Sequence, residues 1–345
     1  LWKTRPSLAQ ARRSVYWWAG ILALSAPILS RDVYSYLMQG AMLRDGFDPY
    51  SEGAAVNPGP YLWEVSHDWR NTTTPYGPLH LGMGKAVTWL VGENVTLGLV
   101  VYRLISLAGF ALIVWALPRI AKQIGGDPAL ALWLGAANPV MLLHLIGGMH
   151  NEAVMVGLVS VGLLWCLRSR WCTPGIALIA LAVSLKATAA VALPFVVWLM
   201  VKRRSATTLG AAGMLAACGA WALAVNVAVI QLVTWASGTT WGWLEEITGN
   251  SKVINPLAGP TLAAELITPV LQLFDDTFRY NTALTWTRTI FSALMLVGLA
   301  VVWWIFRPRR GEAYECRAVA GTTAAYAVAF ATNAVTLPWY YASVI

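Results

Sequence analysis

The sequence predicts an all-α, polytopic membrane protein, and three observations lead to this fold class. Hydrophobic residues make up 58% of the 345 residues and charged residues only 12%, with a mean hydropathy of +0.59. Long apolar runs recur along the whole chain, and basic residues gather in the connections between them. A water-soluble domain of this length does not have such a composition, so the bilayer is the solvent.

The apolar runs predict membrane helices at about 15–30, 97–117, 128–146, 152–168, 207–235, 288–306 and 316–334. With the basic N terminus inside, alternation along these helices places most Lys and Arg residues inside and an excess of acids outside. The residues so placed inside include Lys3, Arg5, Arg12, Arg13, Arg168, Arg170, Arg203, Arg309 and Arg310. The net charge of +8 therefore reflects cytoplasmic anchoring of the loops, and nucleic acid is excluded as a partner.

Residues 31–96 form one predicted external segment with two short helical stretches, "DVYSYLMQGAMLRD" and "PLHLGMGKAVTWLVG". A helix of this length covers about 22 Å, against roughly 30 Å for the hydrocarbon core. We expect both helices to lie on the outer face of the membrane with their apolar sides in the headgroup region.

Residues 171–201 predict a short helical hairpin, because both of its ends carry basic residues. Lys186 falls at its turn, part-way through the membrane, where a cation needs a partner or a wet cavity. An anion site is one interpretation, and a lysine that snorkels or pairs with an acid for packing is the other.

Further polar residues are predicted at the outer face. His150, Asn151 and Glu152 lie between two membrane helices, either as site residues or as ordinary helix-start residues. Residues 236–287 form a second external region, rich in the aromatic and polar types that bind sugars. The first residue is Leu1 and the last residues are apolar, so we interpret the chain as part of a longer protein.

Known nucleotide and hydrolase motifs are missing from the sequence. It contains neither a phosphate-binding G-x-x-x-x-G-K-[ST] loop nor a G-x-S-x-G elbow. An H-E-x-x-H motif and a Cys/His cluster are also missing, so no metal and no cofactor is predicted. Acids, cations and aromatic residues remain at the outer face, where nucleotides are not available. A group transfer there needs a donor carried by lipid.

Five stretches carry a family resemblance: "RDVYSYLMQGAMLRDGFDPY", "TTTPYGPLHL", "GGMHNEAVMVGL", "SLKATAAVALPF" and "TLPWYY". They resemble the polyprenyl-phosphate-mannose-dependent α-1,6-mannosyltransferases of actinobacteria, within the GT-C superfamily of glycosyltransferases. The resemblance implies a single GT-C-type helix bundle over residues 1–345, in a bacterial plasma membrane with its active site outside. It also implies mannose transfer from polyprenyl-phosphate mannose to a lipid-linked α-1,6-mannan, as in lipomannan and lipoarabinomannan.

Asp32 is the predicted catalytic base, because this family layout places an acid directly after a membrane helix at the head of the first external loop. The alternative for Asp32 is the N-cap of a helix that begins at Val33. Asp45, Asp48 and Glu152 are rivals for the role of base and are otherwise predicted to bind substrate. The leaving phosphate needs cations, and Lys186 is favoured among the outer-side candidates. The other predicted substrate-binding residues are Arg31, Tyr34, Arg70, Tyr76, His150, Asn151, Trp339 and Tyr340.

Two other functions stay open at this point. A related polyprenyl-phosphate-dependent arabinofuranosyltransferase would show the same layout, because no motif encodes the donor sugar. A transporter or flippase of a lipid-linked sugar is a second alternative. Transporters of this kind tend to show repeated halves and charges near the midplane. No internal repeat is found in the sequence, and Lys186 alone favours transport.

Overall fold

A computed structural model describes residues 6–168, 172–204, 210–249, 254–309 and 313–344. The described residues form helices and no strand, which confirms the all-α class. Lys3, Arg5, Arg170 and Arg310, which entered the predicted topology, lie outside the described residues, as does the start of the 171–201 segment. The α-helices are α1 Leu8–Ala23, α2 Asp32–Arg44, α3 Pro60–Glu64, α4 Pro78–Val91, α5 Val95–Gln123, α6 Pro128–Ala136, α7 Glu152–Cys166, α8 Cys172–Val183, α9 Leu193–Arg203, α10 Ala211–Ser237, α11 Trp243–Gly249, α12 Gly259–Gln272, α13 Tyr280–Ile305 and α14 Glu315–Thr332.

Three helices in the described residues are long and apolar enough to cross a membrane: α5, α10 and α13, with 29, 27 and 26 residues. A fourth crossing is possible through α6 and the π-helical segment Val140–Gly147, which meet at a bend of 58°. Helices α7 and α8 are apolar but only 15 and 12 residues long. The chain is thus a polytopic membrane protein that mixes full-length and short helices.

The first helix differs from the predicted 15–30. It begins at Leu8 and ends at Ala23. Ser7 and Gln10 form a capping box, in which the Gln10 N–H donates to Ser7 Oγ and the Ser7 N–H donates to Gln10 Oε1. The helix ends before Pro27, because a proline cannot donate to the carbonyl one turn earlier. The predicted range was therefore wrong by about two turns at each end of the apolar run.

The predicted helix 128–146 is broken rather than continuous. Pro139 interrupts the backbone hydrogen bonds at this point. Asn138 compensates, because its Nδ2 donates to the Leu134 carbonyl at 2.8 Å and its Oδ1 accepts from the Met141 N–H at 3.0 Å. Hydropathy does not reveal such a bend, because the residues on both sides of it are apolar.

The two short helices predicted for residues 31–96 form where they were predicted, as α2 and α4. Their backbones approach closely at Gly40 and Gly84, where a Cβ on either glycine would collide with the other helix. The apolar side of α2 was expected in the lipid headgroups, and here the prediction was wrong. Val33, Leu37 and Met38 are buried within the protein, because α2 packs against α3, α4 and α5. Helix α4 keeps an exposed apolar surface, with Trp89 79% exposed.

The predicted hairpin is formed by α8, a 3₁₀ segment Ala187–Ala192 and α9. Its turn does not end in lipid. The Gly77 N–H donates to the Leu185 carbonyl at 3.1 Å, and the Leu79 N–H donates to the Ser184 carbonyl at 2.7 Å. These bonds join the start of α4 to the turn of the hairpin. Lys186, the residue after Leu185, is thereby held close to the start of α4.

Candidate active site

Asp32 is the first residue of α2. The chain turns into this helix through Leu29, whose φ is +64°, and Ser30, whose Oγ accepts from the Asp32 N–H at 3.1 Å. Arg31 holds the N-cap position and makes no capping hydrogen bond. The alternative that Asp32 caps a helix beginning at Val33 is therefore wrong. The Asp32 side chain is 17% exposed and faces His150, with 3.7 Å between Oδ2 and Nε2.

Electrostatics around Asp32 act in opposite directions. Burial raises the pKa of the carboxyl above its ordinary value, while His150 and the Ser30 hydroxyl lower it. The charges of Glu152 and Lys186 also act on Asp32, so these four ionisable groups form one cluster. A carboxylate with a raised pKa is a stronger base than an exposed one.

His150 lies in the connection between the π-helical segment and α7 and is fully buried. Its Nδ1 is 2.8 Å from the carbonyl oxygen of His144. Its ring stacks on Trp339, with 3.8 Å between centroids and 24° between planes. Burial lowers the pKa of His150, opposed by Asp32 and Glu152. The residue before it, Met149, has a φ of +54°, and such strained backbone is typical of functional sites.

Lys186 and Glu152 form a buried ion pair. Glu152 is the first residue of α7, and Lys186 stands in the turn of the hairpin. The Lys186 ammonium also lies 4.0 Å from the ring centroid of Tyr340 and 5.5 Å from that of Tyr76. Pairing with an acid, which the sequence left open for Lys186, is therefore present. Asn151 and Glu152 do stand at a helix start, but Asn151 makes no capping bond.

A chain of three polar side chains, Asn151, His80 and Gln39, lies beside the charged residues of the site. Asn151 Nδ2 is 3.2 Å from His80 Nδ1, and His80 Nε2 is 3.2 Å from Gln39 Oε1. Burial lowers the pKa of His80 to about 3. The ring is therefore neutral and links the two amides by accepting at one nitrogen and donating at the other. Tyr36 packs its ring edge-on to His80 at 4.7 Å.

Sequence reasoning missed Gln39, Tyr36 and His80. A signal was present for the first two, because Asp32, Tyr36 and Gln39 recur at helical spacing and so share one face of α2. For His80, only the tertiary packing of α4 against α2 reveals the neighbours.

The remaining predicted residues make their contacts elsewhere. Arg31 pairs with Glu64 at 3.0 Å and lies over the Tyr34 ring at 5.4 Å. Arg70 donates to the carbonyls of Val65 and Trp63.

The rival acids Asp45 and Asp48 make hydrogen bonds to nearby residues of their own segment. Arg44 pairs with Asp45 at 2.7 Å, and this hydrogen bond lowers the pKa of Asp45. Asp48 accepts from the Tyr50 N–H and the Ser51 hydroxyl. Among the four predicted acids, Asp32 is the one that is largely buried, keeps a small contact with solvent and faces a histidine.

The arrangement contains a carboxylate suited to remove a proton, a fixed ammonium and a set of aromatic rings. In the described part of the chain, no group of three or more His, Cys, Asp and Glu side chains is placed to hold a metal ion. The chemistry that these side chains can supply is proton transfer beside an ammonium group.

Comparison with known proteins gives a consistent family. The model of the family described as "Alpha-(1->6)-mannopyranosyltransferase, N-terminal domain" matches residues 1–202, a range that includes Asp32, His150, Glu152 and Lys186. Alpha-(1->6)-mannopyranosyltransferase A of Corynebacterium glutamicum is 57% identical over 98% of this chain and 70% of its own length. The protein of the same name from Mycobacterium tuberculosis is 41% identical over 94% of this chain and 62% of its own length.

A more distant relative is the probable alpha-(1->6)-mannopyranosyltransferase of Mycolicibacterium smegmatis, 32% identical over 99% of this chain and 65% of its own length. The chain thus spans roughly two thirds of the length of these relatives. No solved structure matches it significantly. These matches confirm the family that the sequence motifs indicated: the chain belongs to the alpha-(1->6)-mannopyranosyltransferases, a family of actinobacterial glycosyltransferases.

Proposed function

We propose that the protein is an inverting mannosyltransferase that moves mannose from polyprenyl-phosphate mannose to a lipid-linked α-1,6-mannan. The observation that carries this proposal is the position of Asp32, a largely buried carboxylate at the start of α2, beside a buried histidine and a buried Lys–Glu pair. A donor held by lipid keeps its phosphate at headgroup depth. The base that serves it must stand at the same depth.

Asp32 is the general base in this proposal. It takes the proton from the 6-hydroxyl of the acceptor mannose as that oxygen attacks the anomeric carbon of the donor. The bond from the anomeric carbon to the phosphate oxygen breaks, and its electron pair leaves with the polyprenyl phosphate. A single displacement inverts the anomeric centre and needs no covalent intermediate, as in inverting glycosidases. General base assistance of this kind typically contributes about 10²–10⁴-fold.

Lys186 is the proposed contact for the donor phosphate. An ammonium has three N–H donors, and the pair with Glu152 leaves capacity for a phosphate oxygen. Glu152 offsets the positive charge of Lys186 before the donor binds, and it fixes the ammonium in place. Tyr340 and Tyr76 flank the ammonium and offer rings on which a mannose can stack.

The outer face of the plasma membrane is the proposed side of action. Support comes from the basic residues at the opposite ends of the helices, such as Arg203 at the end of α9 and Arg307 after α13. Basic residues are retained on the cytoplasmic side, which leaves α2 and α4 outside.

The test uses the purified protein in detergent with polyprenyl-phosphate mannose and a short α-1,6-linked mannoside. We expect an acceptor lengthened by one α-1,6-linked mannose, identified by NMR of the product, and no product from Asp32→Asn. Transport has no meaning in detergent, so turnover excludes the flippase alternative. Turnover with a polyprenyl-phosphate arabinofuranose donor and none with the mannose donor would contradict the proposed sugar.

A further inference from the structure

His150 presents an unusual combination of a fixed tautomer and an unpartnered nitrogen. Its Nδ1 lies 2.8 Å from a backbone carbonyl oxygen, which can only accept, so Nδ1 carries a proton. In the neutral ring, Nε2 then holds a lone pair. This Nε2 is buried without a hydrogen-bond partner and faces Asp32 Oδ2 at 3.7 Å.

Two acceptors therefore face each other when Asp32 is ionised and His150 is neutral. Their lone pairs repel, and a single proton between them would turn the repulsion into a charge-assisted hydrogen bond. The geometry defines a place for one proton that is vacant before the reaction. The hydroxyl of the acceptor sugar can supply the proton for this position.

We propose that His150 is the proton partner of Asp32, which receives at Nε2 the proton that Asp32 takes from the acceptor hydroxyl. This inference rests on the mannosyl transfer proposed above and assigns a further role within it. The O–H bond of the acceptor breaks, an N–H bond forms at Nε2, and Asp32 returns to the carboxylate. The proton later leaves to water as the polyprenyl phosphate departs. His150 acts through Asp32 and is a positioning residue for the base.

Several contacts hold the ring in this position. Trp339 stacks on one face, and the His150 Nδ1 is held at 2.8 Å from the His144 carbonyl oxygen. Arg103, buried in the membrane helix α5, donates to the Ile146 and Gly147 carbonyls just before this turn, and at 2.8 Å to the carbonyl of Ser25. Precise anchoring of a ring whose Nε2 has no ground-state partner is expected where that nitrogen acts during the reaction.

The pH dependence of the Asp32–His150 pair reflects all the titratable and charged groups around it. These are Ser30 on the approach to α2, His144 on the π-helical segment, Glu152 on α7, Lys186 at the hairpin turn, and the rings of Tyr36, Tyr76 and Tyr340. The charge of His150 lowers the Asp32 pKa only when His150 is protonated. In the neutral ring, the Nε2 lone pair faces Asp32 Oδ2 and disfavours the carboxylate. Removal of neutral His150 therefore lowers the Asp32 pKa, and the base ionises at lower pH.

The experiment measures kcat/KM against pH for wild type, His150→Gln and His150→Phe, with thermal unfolding of each. The Phe variant keeps a ring on Trp339 but accepts no proton. The matched control is His67→Gln, because His67 is exposed.

We expect both His150 variants to lose roughly 10- to 100-fold in kcat/KM, part of what general base catalysis supplies. Their acidic limb should move to lower pH, because the repulsion between Nε2 and the carboxylate is gone, while the control keeps the wild-type profile. Folded His150 variants with the wild-type pH profile would overturn the inference. A wild-type protein that transfers no mannose would instead overturn the proposed function, so the two failures are distinguishable.

Discussion

The charged residues of the site occupy the ends of helices. Asp32 and Glu152 are the first residues of α2 and α7, where the positive end of the helix dipole favours a carboxylate by about 0.3–1 kcal/mol. Lys186 stands in the turn between α8 and the 3₁₀ segment, where its N–H donates to the Ala182 carbonyl at 2.9 Å. Single residues at such positions can carry charge into a region that the helices themselves make apolar.

Asp32→Asn should keep the fold and abolish transfer. The amide is nearly isosteric, but it cannot accept the proton at working pH, and loss of a general base costs about 10²–10⁴-fold. The measurement is the initial rate of mannose transfer beside thermal unfolding. Asp45→Asn is the matched control, because Asp45 serves Arg44 and Asn57 in the loop. Near-full turnover of the Asp32 variant would assign the base elsewhere.

Lys186→Met separates a phosphate contact from a scaffold lysine. The change leaves Glu152 as a buried charge without its partner, which costs about 3–5 kcal/mol of unfolding free energy. The double variant Lys186→Met with Glu152→Gln removes both charges and should recover much of that stability.

Donor affinity decides between the two roles of Lys186. If the ammonium binds the phosphate, the double variant should bind polyprenyl-phosphate mannose more weakly than wild type does. Loss of a charge-assisted contact should lower the affinity by roughly tenfold or more. Binding of the donor to wild type and double variant in detergent is the measurement. Equal donor affinities would show that Lys186 and Glu152 are scaffold alone.

At the scale of elements, the site depends on how α4 meets the hairpin. Gly77 stands at the start of α4, and its backbone lies against Ser184 so closely that a Cβ would overlap it. The two hydrogen bonds from Gly77 and Leu79 fix the height of the hairpin turn. The position of Lys186 beneath Tyr76 is therefore set by backbone contact, and the site residues themselves do not determine it.

Gly77→Ala should push the turn away from α4. Forcing extra volume into such a contact costs about 1–3 kcal/mol, and the displaced Lys186 should lower donor affinity as well. Gly59→Ala is the matched control, because Gly59 has extended backbone and open space around its Cβ position. Unchanged stability and donor affinity in the Gly77 variant would refute the proposed role of this contact.

At the scale of the whole molecule, the helices separate two sets of polar residues. Helices α10 and α13 expose large apolar side chains such as Leu223 at 64% and Leu296 at 66%, as lipid-facing helices do. Polar and charged residues gather beyond their ends. The side of the membrane that the site faces follows from which set is cytoplasmic.

Residue 51 should react with a membrane-impermeant maleimide added from outside, and residue 309 only after permeabilisation. The reason is the retention of basic residues on the cytoplasmic side. The variants are Ser51→Cys and Arg309→Cys, both at exposed positions, in a background where the exposed Cys316 is replaced by serine. Labelling of residue 51 from the cytoplasmic side alone would invert the topology.

Much of the fold was predictable because the features that specify it are local. An apolar run selects a membrane helix, and short helical stretches with scattered charges predicted α2 and α4 at their observed positions. The errors were local too. The capping box at Ser7 moved the start of α1, and Asn138 with Pro139 broke the predicted helix 128–146, because hydropathy averages over such details.

By itself, the sequence determined the membrane class, the family, the two short helices α2 and α4 and the acid at the head of α2, since composition, periodicity and motifs are properties of neighbouring residues. Only the tertiary structure decided that Glu152 pairs with Lys186, that His150 faces Asp32 from a stack on Trp339, and that Gln39 and His80 support them. These contacts join residues far apart in the chain. They depend on how closely helix backbones approach, and side-chain packing in three dimensions sets that distance.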